Sequence, residues 1–192
     1  KYDKGYFEDS IEKINTTVSR VTTIINGLKT FSRDPSQVKK REHNLFTIVN
    51  DTIDLCREKL RLNEIGISVN VAKEISLECN NIQISQVIMS FINNSFDAII
   101  NTKMKWITID AELSNEWVSI IITDSGLGIE DNVASNMLKP FYTTKEVGQG
   151  TGLGLSISKA IIIEHGGSIE YCTKNINTQF IIKIPTTQKK EV

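Results

Sequence analysis

Apolar positions along this chain change their spacing repeatedly, and each change marks an element. Between residues 6 and 33, Phe7, Ile11, Ile14, Val18, Val21, Ile25 and Leu28 alternate steps of four and three, the seam of a coiled coil or helical bundle. Asp34-Pro35 stops that helix, because the residue before proline is pushed out of helical geometry. One amphipathic helix of this length cannot cover its own stripe. It lies either on the chain's own core or in a separate bundle, and the strict seam and polar stretch 36–44 favour the bundle. Residues 45–62 read as a second helix with Ile48, Val49, Ile53, Cys56 and Leu60 on one side. After Gly66 the period falls to two, through Ile67, Val69 and Val71 and then Ile75, Leu77 and Cys79, which predicts two short strands. Residues 82–101 return to helical spacing, and 106–113 and 117–123 form a hairpin about Ser114-Asn115-Glu116. A last helix over 155–163 ends at Gly166-Gly167, and strands over 168–173 and 179–184 close the chain before a charged tail.

These elements predict an α/β chain led by the long bundle helix. The expected boundaries are 1–35 for the bundle helix, 36–44 for a linker, 45–186 for the main domain and 187–192 for a tail. The length of 192 residues accommodates one ordinary domain plus that extra element. A hydrophobic content of 40% with 23% charged residues marks a globular chain, and a net charge of −1 gives no reason to expect nucleic acid. Cys56, Cys79 and Cys172 are odd in number and widely spaced, suiting neither a disulfide framework nor zinc. A reducing compartment follows. There is no signal peptide and no apolar run of membrane-spanning length. The chain begins at Lys1 without methionine, so it is expected to be cut from something longer, whose membrane attachment it does not report.

The chemistry concentrates in three stretches. Gly148, Gly150, Gly152 and Gly154 occupy alternate positions and run straight into the apolar helical pattern from Leu155. Unpartnered amides at a helix start, with the helix dipole behind them, make an anion site, most often for phosphate. No Lys-Ser/Thr follows the last glycine and no strand leads the string, so it is neither a Walker loop nor a dinucleotide fingerprint. In 82–101, Val87, Phe91, Asn94 and Ala98 share a face. Asn94 therefore needs a partner; it is either a satisfied core amide or a ligand to a hard cation such as magnesium. Asp124 ends a strand and begins Asp124-Ser125-Gly126-Leu127-Gly128-Ile129. It either caps its own turn or accepts a hydrogen bond from a ligand at the sheet's rim.

The order of the Asn-bearing helix, Asp-Ser-Gly-Leu-Gly-Ile, Phe141-Tyr142-Thr143-Thr144-Lys145 and the glycine string resembles the catalytic ATP-binding domain of sensor histidine kinases. Those belong with the gyrase, mismatch-repair and heat-shock chaperone ATPases. The resemblance covers about residues 45–185, and residues 6–33 look like the second helix of the kinases' dimerisation and phosphotransfer bundle. It implies an α/β fold, a two-layer sandwich of the Bergerat type with helices on one face of a mixed, largely antiparallel sheet, that binds ATP with Mg2+ and donates the γ-phosphoryl group to a histidine. The implied nucleotide site comprises Asn94, Asp97, Asp124, Gly126, Gly128, Ile129, Phe141, Thr143, Thr144, Lys145, Gly148, Gly150, Thr151, Gly152, Leu153, Gly154 and Leu155, with Asn94 holding the metal. Asp124 would accept the adenine amino group, while Gly126 and Gly128 let the backbone pass close to the base. The glycine string would be the hinge of a lid, its amides from 152–155 donating to phosphates. Phe141, Thr143, Thr144 and Lys145 would anchor that lid, unless Lys145 is merely solvated. Implied partners are the acceptor-histidine helix, a response regulator and a second copy in the parent protein, in the cytoplasm. Nucleic acid and membrane contact are not implied.

Two departures from the family pattern matter. Four residues before Asn94, the kinases carry another Asn and the hydrolysing relatives a water-activating Glu; here the position is Ser90. A serine hydroxyl is a poor general base at neutral pH. The second departure concerns histidine. His43 is followed by Asn44 rather than an acidic residue, and His165 precedes Gly166-Gly167 at a helix C-terminus, where an imidazolium would suit the dipole and a structural role is expected. No catalytic histidine is therefore assigned, and the acceptor helix is expected before Lys1. Alternative readings are a serine kinase of the anti-sigma-factor type and a non-catalytic nucleotide sensor.

Overall fold

The computed structural model of the protein describes residues 39–146 and 150–187, together with Ser10, Ile11, Ile14, Thr17, Val18, Val21, Thr22 and Ile25. Those eight early positions are helical, and Ile11, Ile14, Val18, Val21 and Ile25 of the seam are exposed. The remainder of the expected bundle helix and the tail from 188 lie outside the described residues.

The main domain runs β1 (Arg41–Asn44), α1 (Leu45–Leu62), β2 (Gly66–Asn70), β3 (Ser76–Cys79), α2 (Asn81–Ile99), β4 (Trp106–Ser114), β5 (Trp117–Asp124), the short α3 (Asp131–Ala134), α4 (Gly154–Glu164), β6 (Ser168–Tyr171) and β7 (Thr178–Pro185). Its sheet has the order β2-β4-β5-β7-β6; β2 and β4 are parallel and the remaining pairs antiparallel. The hairpin turns at Asn115, whose φ of 53° is one that asparagine tolerates. Alternation along β5 and β7 puts Val118, Ile120, Ile122, Phe180, Ile182 and Ile184 on the helix-covered face. The other face carries Thr108, Asp110, Ser119 and a Lys183–Glu170 ion pair at 3.2 Å. Phe91 of α2 meets Phe180 with ring centroids 4.9 Å apart, tying the helix layer to the sheet. Truncating such a ring to alanine costs about 3–5 kcal/mol.

The starts of α1 and α2 follow side-chain capping. Asn44 accepts from the Thr47 amide at 3.1 Å, and Asn80 accepts from Gln83 at 3.1 Å. Three details differ from the sequence reading. Residues 41–44, expected within a linker, form strand β1 against β3, with His43 opposite Leu77; none of the four is buried and they show no alternation. The buried stripe of α2 is Ile84, Val87, Ile88, Phe91, Ile92, Ser95 and Ile99. The stripe is therefore rotated, so Asn94 lies half-buried at its border and Ala98 is exposed. Finally, α3 is too short to carry a period.

His165 corrects an expectation. It is fully buried rather than a charged cap: Nδ1 donates to the Ile161 carbonyl at 2.8 Å and Nε2 accepts from the Asn80 amide at 3.1 Å. Burial holds its pKa below the ordinary value, outweighing the bond to Ile161, and Lys40 adds repulsion. The neutral ring joins the end of α4 to the start of α2.

Candidate functional site

The site is assembled around α2, which contacts the strand, the loop and the helix that carry the other motif residues. Asp124, the last residue of β5, is 2% exposed. Its Oδ2 accepts from the Ser95 hydroxyl at 2.7 Å and its Oδ1 from the Gly126 amide at 2.8 Å. Burial pushes its carboxyl above the usual carboxylate range, while Ser95, Gly126 and Thr178 pull it back through hydrogen bonds. The turn-capping and ligand-accepting readings of Asp124 are thus compatible: it caps Gly126 and keeps acceptor capacity.

The following loop is held by β6 and β7. The Ile129 amide donates to the Tyr171 hydroxyl at 2.7 Å, and Thr178 N donates to the Gly126 carbonyl at 3.0 Å. The space at Gly126 is fixed by the protein itself, since a Cβ there would lie 2.7 Å from Asp124 Oδ1 and 2.8 Å from Thr178 Oγ1. Gly128 has φ +87°, which a side chain rarely tolerates.

One turn beyond Ser90, Asn94 has a buried Nδ2 with no hydrogen-bond partner. Amide ends are assigned from their partners, so this end is free to be the oxygen that a hard cation takes. Among the described residues no group of three or more His, Cys, Asp or Glu gathers as a metal cluster. A cation held by Asn94 would therefore take its other oxygens from a ligand such as a polyphosphate. Asp97, a further turn along, is paired with Lys145. Lys145 is thus neither merely solvated nor loose, although a pair this exposed contributes only about 0–1 kcal/mol.

The segment 141–145 meets the glycine string directly. A Cβ on Gly152, at φ +64°, would lie 2.4 Å from the Phe141 carbonyl carbon, and one on Gly150 would lie 2.8 Å from Thr143 Oγ1. Phe141 itself has φ 65° and an exposed ring, an uncommon backbone state that costs about 1–3 kcal/mol and concentrates at functional sites. Thr143 Oγ1 accepts from the Lys145 amide at 3.1 Å, Thr151 Oγ1 accepts from Leu153 at 3.3 Å, and Thr144 is exposed. Gly148 lies outside the described residues. Leu153 is buried and N-caps α4 without a side-chain bond, so no side chain of the cap competes for the first-turn amides. Leu155 is half-buried on that turn. A Cβ on Gly154 would lie 2.9 Å from Ser90 Oγ, so α4 begins beside Ser90.

The structure therefore gathers Asp124, Asn94, Asp97, Lys145, Phe141, Gly152 and Gly154 into one chain of contacts around α2. Ser95, Thr178 and Tyr171 belong to it as well and were not picked out from sequence. Ser95 had a signal: it is a hydroxyl in the α2 buried stripe, with a buried strand-ending carboxylate as its natural acceptor. Tyr171 and Thr178 had none, because their roles depend on how β6 and β7 pass the loop.

Comparison with known proteins bears on the family and the fold. The family described as histidine kinase-, DNA gyrase B-, and HSP90-like ATPase matches residues 79–188. Sporulation kinase E of Bacillus subtilis is 30% identical over 180 residues, 93% of this chain and 24% of that protein. The two-component sensor PprA of Pseudomonas aeruginosa is 26% identical over 98% of this chain and 21% of its own length. The chain thus spans about a quarter of these relatives. The solved catalytic domain of histidine kinase ThkA, in a nucleotide-free form, superposes with a TM-score of 0.69 at 32% identity, covering 77% of this chain and 96% of that one. ThkA in complex with the response regulator TrrA gives a TM-score of 0.80 at 27% identity, covering all of this chain and 55% of the other.

Proposed function

This chain belongs to the histidine kinase-, DNA gyrase B- and HSP90-like ATPase family, and from that premise we propose that it is the catalytic ATP-binding part of a sensor histidine kinase. The observation that carries the reading is that Asp124 and the glycine-led start of α4 both meet α2, the helix that bears Asn94. A buried carboxylate, an unpaired amide and a helix start without a side-chain cap match the three parts of a magnesium nucleotide: base, cation and phosphates.

Asp124 accepts from the adenine amino group, with Gly126 and Gly128 shaping the loop beside it. Asn94 would hold the cation, and the amides of 152, 154 and 155 would receive the phosphates, joined by that of Leu153 on release from Thr151 Oγ1. Magnesium, when bound, neutralises charge on the transferring phosphoryl group. Phe141, Thr143 and Lys145 fix one end of the lid to which Gly150 and Gly152 belong. Phosphoryl transfer then requires mainly positioning. A histidine nitrogen forms a bond to the γ-phosphorus, the bond to the β–γ bridging oxygen breaks, and ADP leaves. We assign that histidine to a helix other than those of residues 45–186, because His165 is buried and fully bonded and His43 lies in β1. The parts 1–35, 45–186 and 187–192 serve as bundle helix, catalytic domain and tail; of the expected linker 36–44, residues 41–44 join the catalytic domain through β1. The exposed seam of Ile11, Ile14, Val18, Val21 and Ile25 suits pairing with a second copy, and a response regulator is the onward acceptor, the kind of partner ThkA has in its complex.

Calorimetry with Mg-ADP tests the assignment. Asp124→Asn should weaken binding about tenfold or more, since a hydrogen bond to a charged group contributes roughly 1.5–3 kcal/mol. Undiminished affinity would remove Asp124 from the base site.

A further inference from the structure

We propose that Ser95 is the positioning residue that holds Asp124 as a hydrogen-bond acceptor for the base, and that it thereby sets the preference for adenine. The inference rests on the nucleotide site proposed above and adds a residue to it. Ser95 and Asp124 are both buried, 4% and 2% exposed, and 29 positions apart in sequence, yet the serine hydroxyl reaches Oδ2 at 2.7 Å. The bond crosses from α2 to the end of β5, so it also ties the helix carrying Asn94 to the strand carrying the base acceptor.

Among the described residues, the groups bonded to the carboxylate are uncharged: Ser95 from α2, the Gly126 amide from the adjoining loop, and Thr178 from β7. Among them no lysine or arginine offsets its charge. A carboxylate in an apolar interior without a cation remains ionised only through the dipoles donated to it. Each donor therefore matters to its charge state as well as to its aim. Ser95 donates to Oδ2, whereas the Gly126 amide serves Oδ1.

The consequence for recognition is chemical. An ionised Asp124 is acceptor-only and selects a 6-amino purine, which donates. A protonated Asp124 donates from one oxygen and would accommodate a 6-oxo purine, which accepts. Loss of the Ser95 hydroxyl moves Asp124 toward the second state. Alanine at 95 should therefore do more than loosen the site: it should narrow discrimination between amino and oxo bases, and more so as pH falls.

The test is calorimetric titration of the magnesium complexes of ADP and inosine diphosphate, across the mildly acidic to neutral range. The proteins are wild type, Ser95→Ala, Ser95→Thr, Ser95→Cys and Asp124→Asn. For Ser95→Ala we expect ADP affinity to fall about tenfold, with a smaller loss for inosine diphosphate. Its affinity loss on acidification should begin at a higher pH than in wild type. Thr should restore wild-type behaviour. Cys, close in shape but a weaker donor, should fall between them and serves if the alanine protein does not fold. Equal losses for both nucleotides with an unchanged pH profile would reduce Ser95 to packing and overturn the inference. So would wild-type binding by Ser95→Ala. If instead Asp124→Asn binds ADP as wild type does, the base assignment itself fails, a result distinguishable from failure of Ser95 alone.

Discussion

Asp124 is a carboxyl group kept in a costly buried state, for which the proposed nucleotide site supplies a reason. Burial raises its carboxyl pKa, so the stability it offers is present at acid pH and lost as pH rises through the raised value. Asp124→Asn should then leave the neutral-pH thermal midpoint unchanged or higher while nucleotide binding weakens; a large fall in the midpoint would mean that the carboxylate is structural. His165 behaves oppositely with acid. Its pKa is depressed from 6.5, so above that value both folded and unfolded chains carry a neutral ring. Below it the unfolded chain takes up the proton first, and stability falls until the depressed value is passed. Thermal midpoints should drop across that window in wild type and flatten in His165→Gln. A parallel slope in both proteins would assign the acid sensitivity elsewhere. Ser90 yields a third expectation at this scale. Its hydroxyl lies beside Gly154 but is no base for water, so steady phosphate release should stay well below about one per second; sustained faster turnover would require a base not identified here.

At the scale of elements, the decisive contact is between segment 141–145 and the start of α4. Gly152 has a positive φ and lies against the Phe141 backbone, so Gly152→Ala should separate the two. ADP binding should be lost or weakened at least tenfold, a loss of more than 1.4 kcal/mol, while the far-UV spectrum is retained. Near-native affinity would show that the junction is dispensable. Most elements were legible because their periods are long and uninterrupted: the helix read over 45–62 is α1, and the hairpin about Asn115 is β4–β5. The misses share a physical cause. Arg41–Asn44 becomes a strand only because β3 supplies its pairing, and Asp131–Ala134 is a single turn. The face of α2 was misjudged by about one position, because Asn94 was counted into the stripe and Ser95 out of it. A polar residue satisfied by a distant partner cannot be told from an exposed one by periodicity alone. The motif residues were legible as a set, but their joining by Ser95–Asp124, Asp97–Lys145 and Phe141–Gly152 is tertiary.

At the scale of the molecule, the proposed division of labour is a nucleotide site within 45–186 and a nucleophile supplied from another helix. The histidines of this chain argue for that division: His165 has both ring nitrogens engaged, and His43 lies in β1 opposite Leu77. The exposed apolar positions from Ile11 to Ile25 offer the surface on which an acceptor-bearing bundle would assemble. The most direct measurement is phosphoryl labelling with γ-labelled ATP of a protein carrying this sequence together with a histidine-bearing bundle helix. The account predicts an acid-labile, base-stable label on that helix, abolished by Asn94→Ala and retained when His43 and His165 are both replaced. An acid-stable label on serine, or loss of label on His43→Ala with nucleotide still bound, would contradict it.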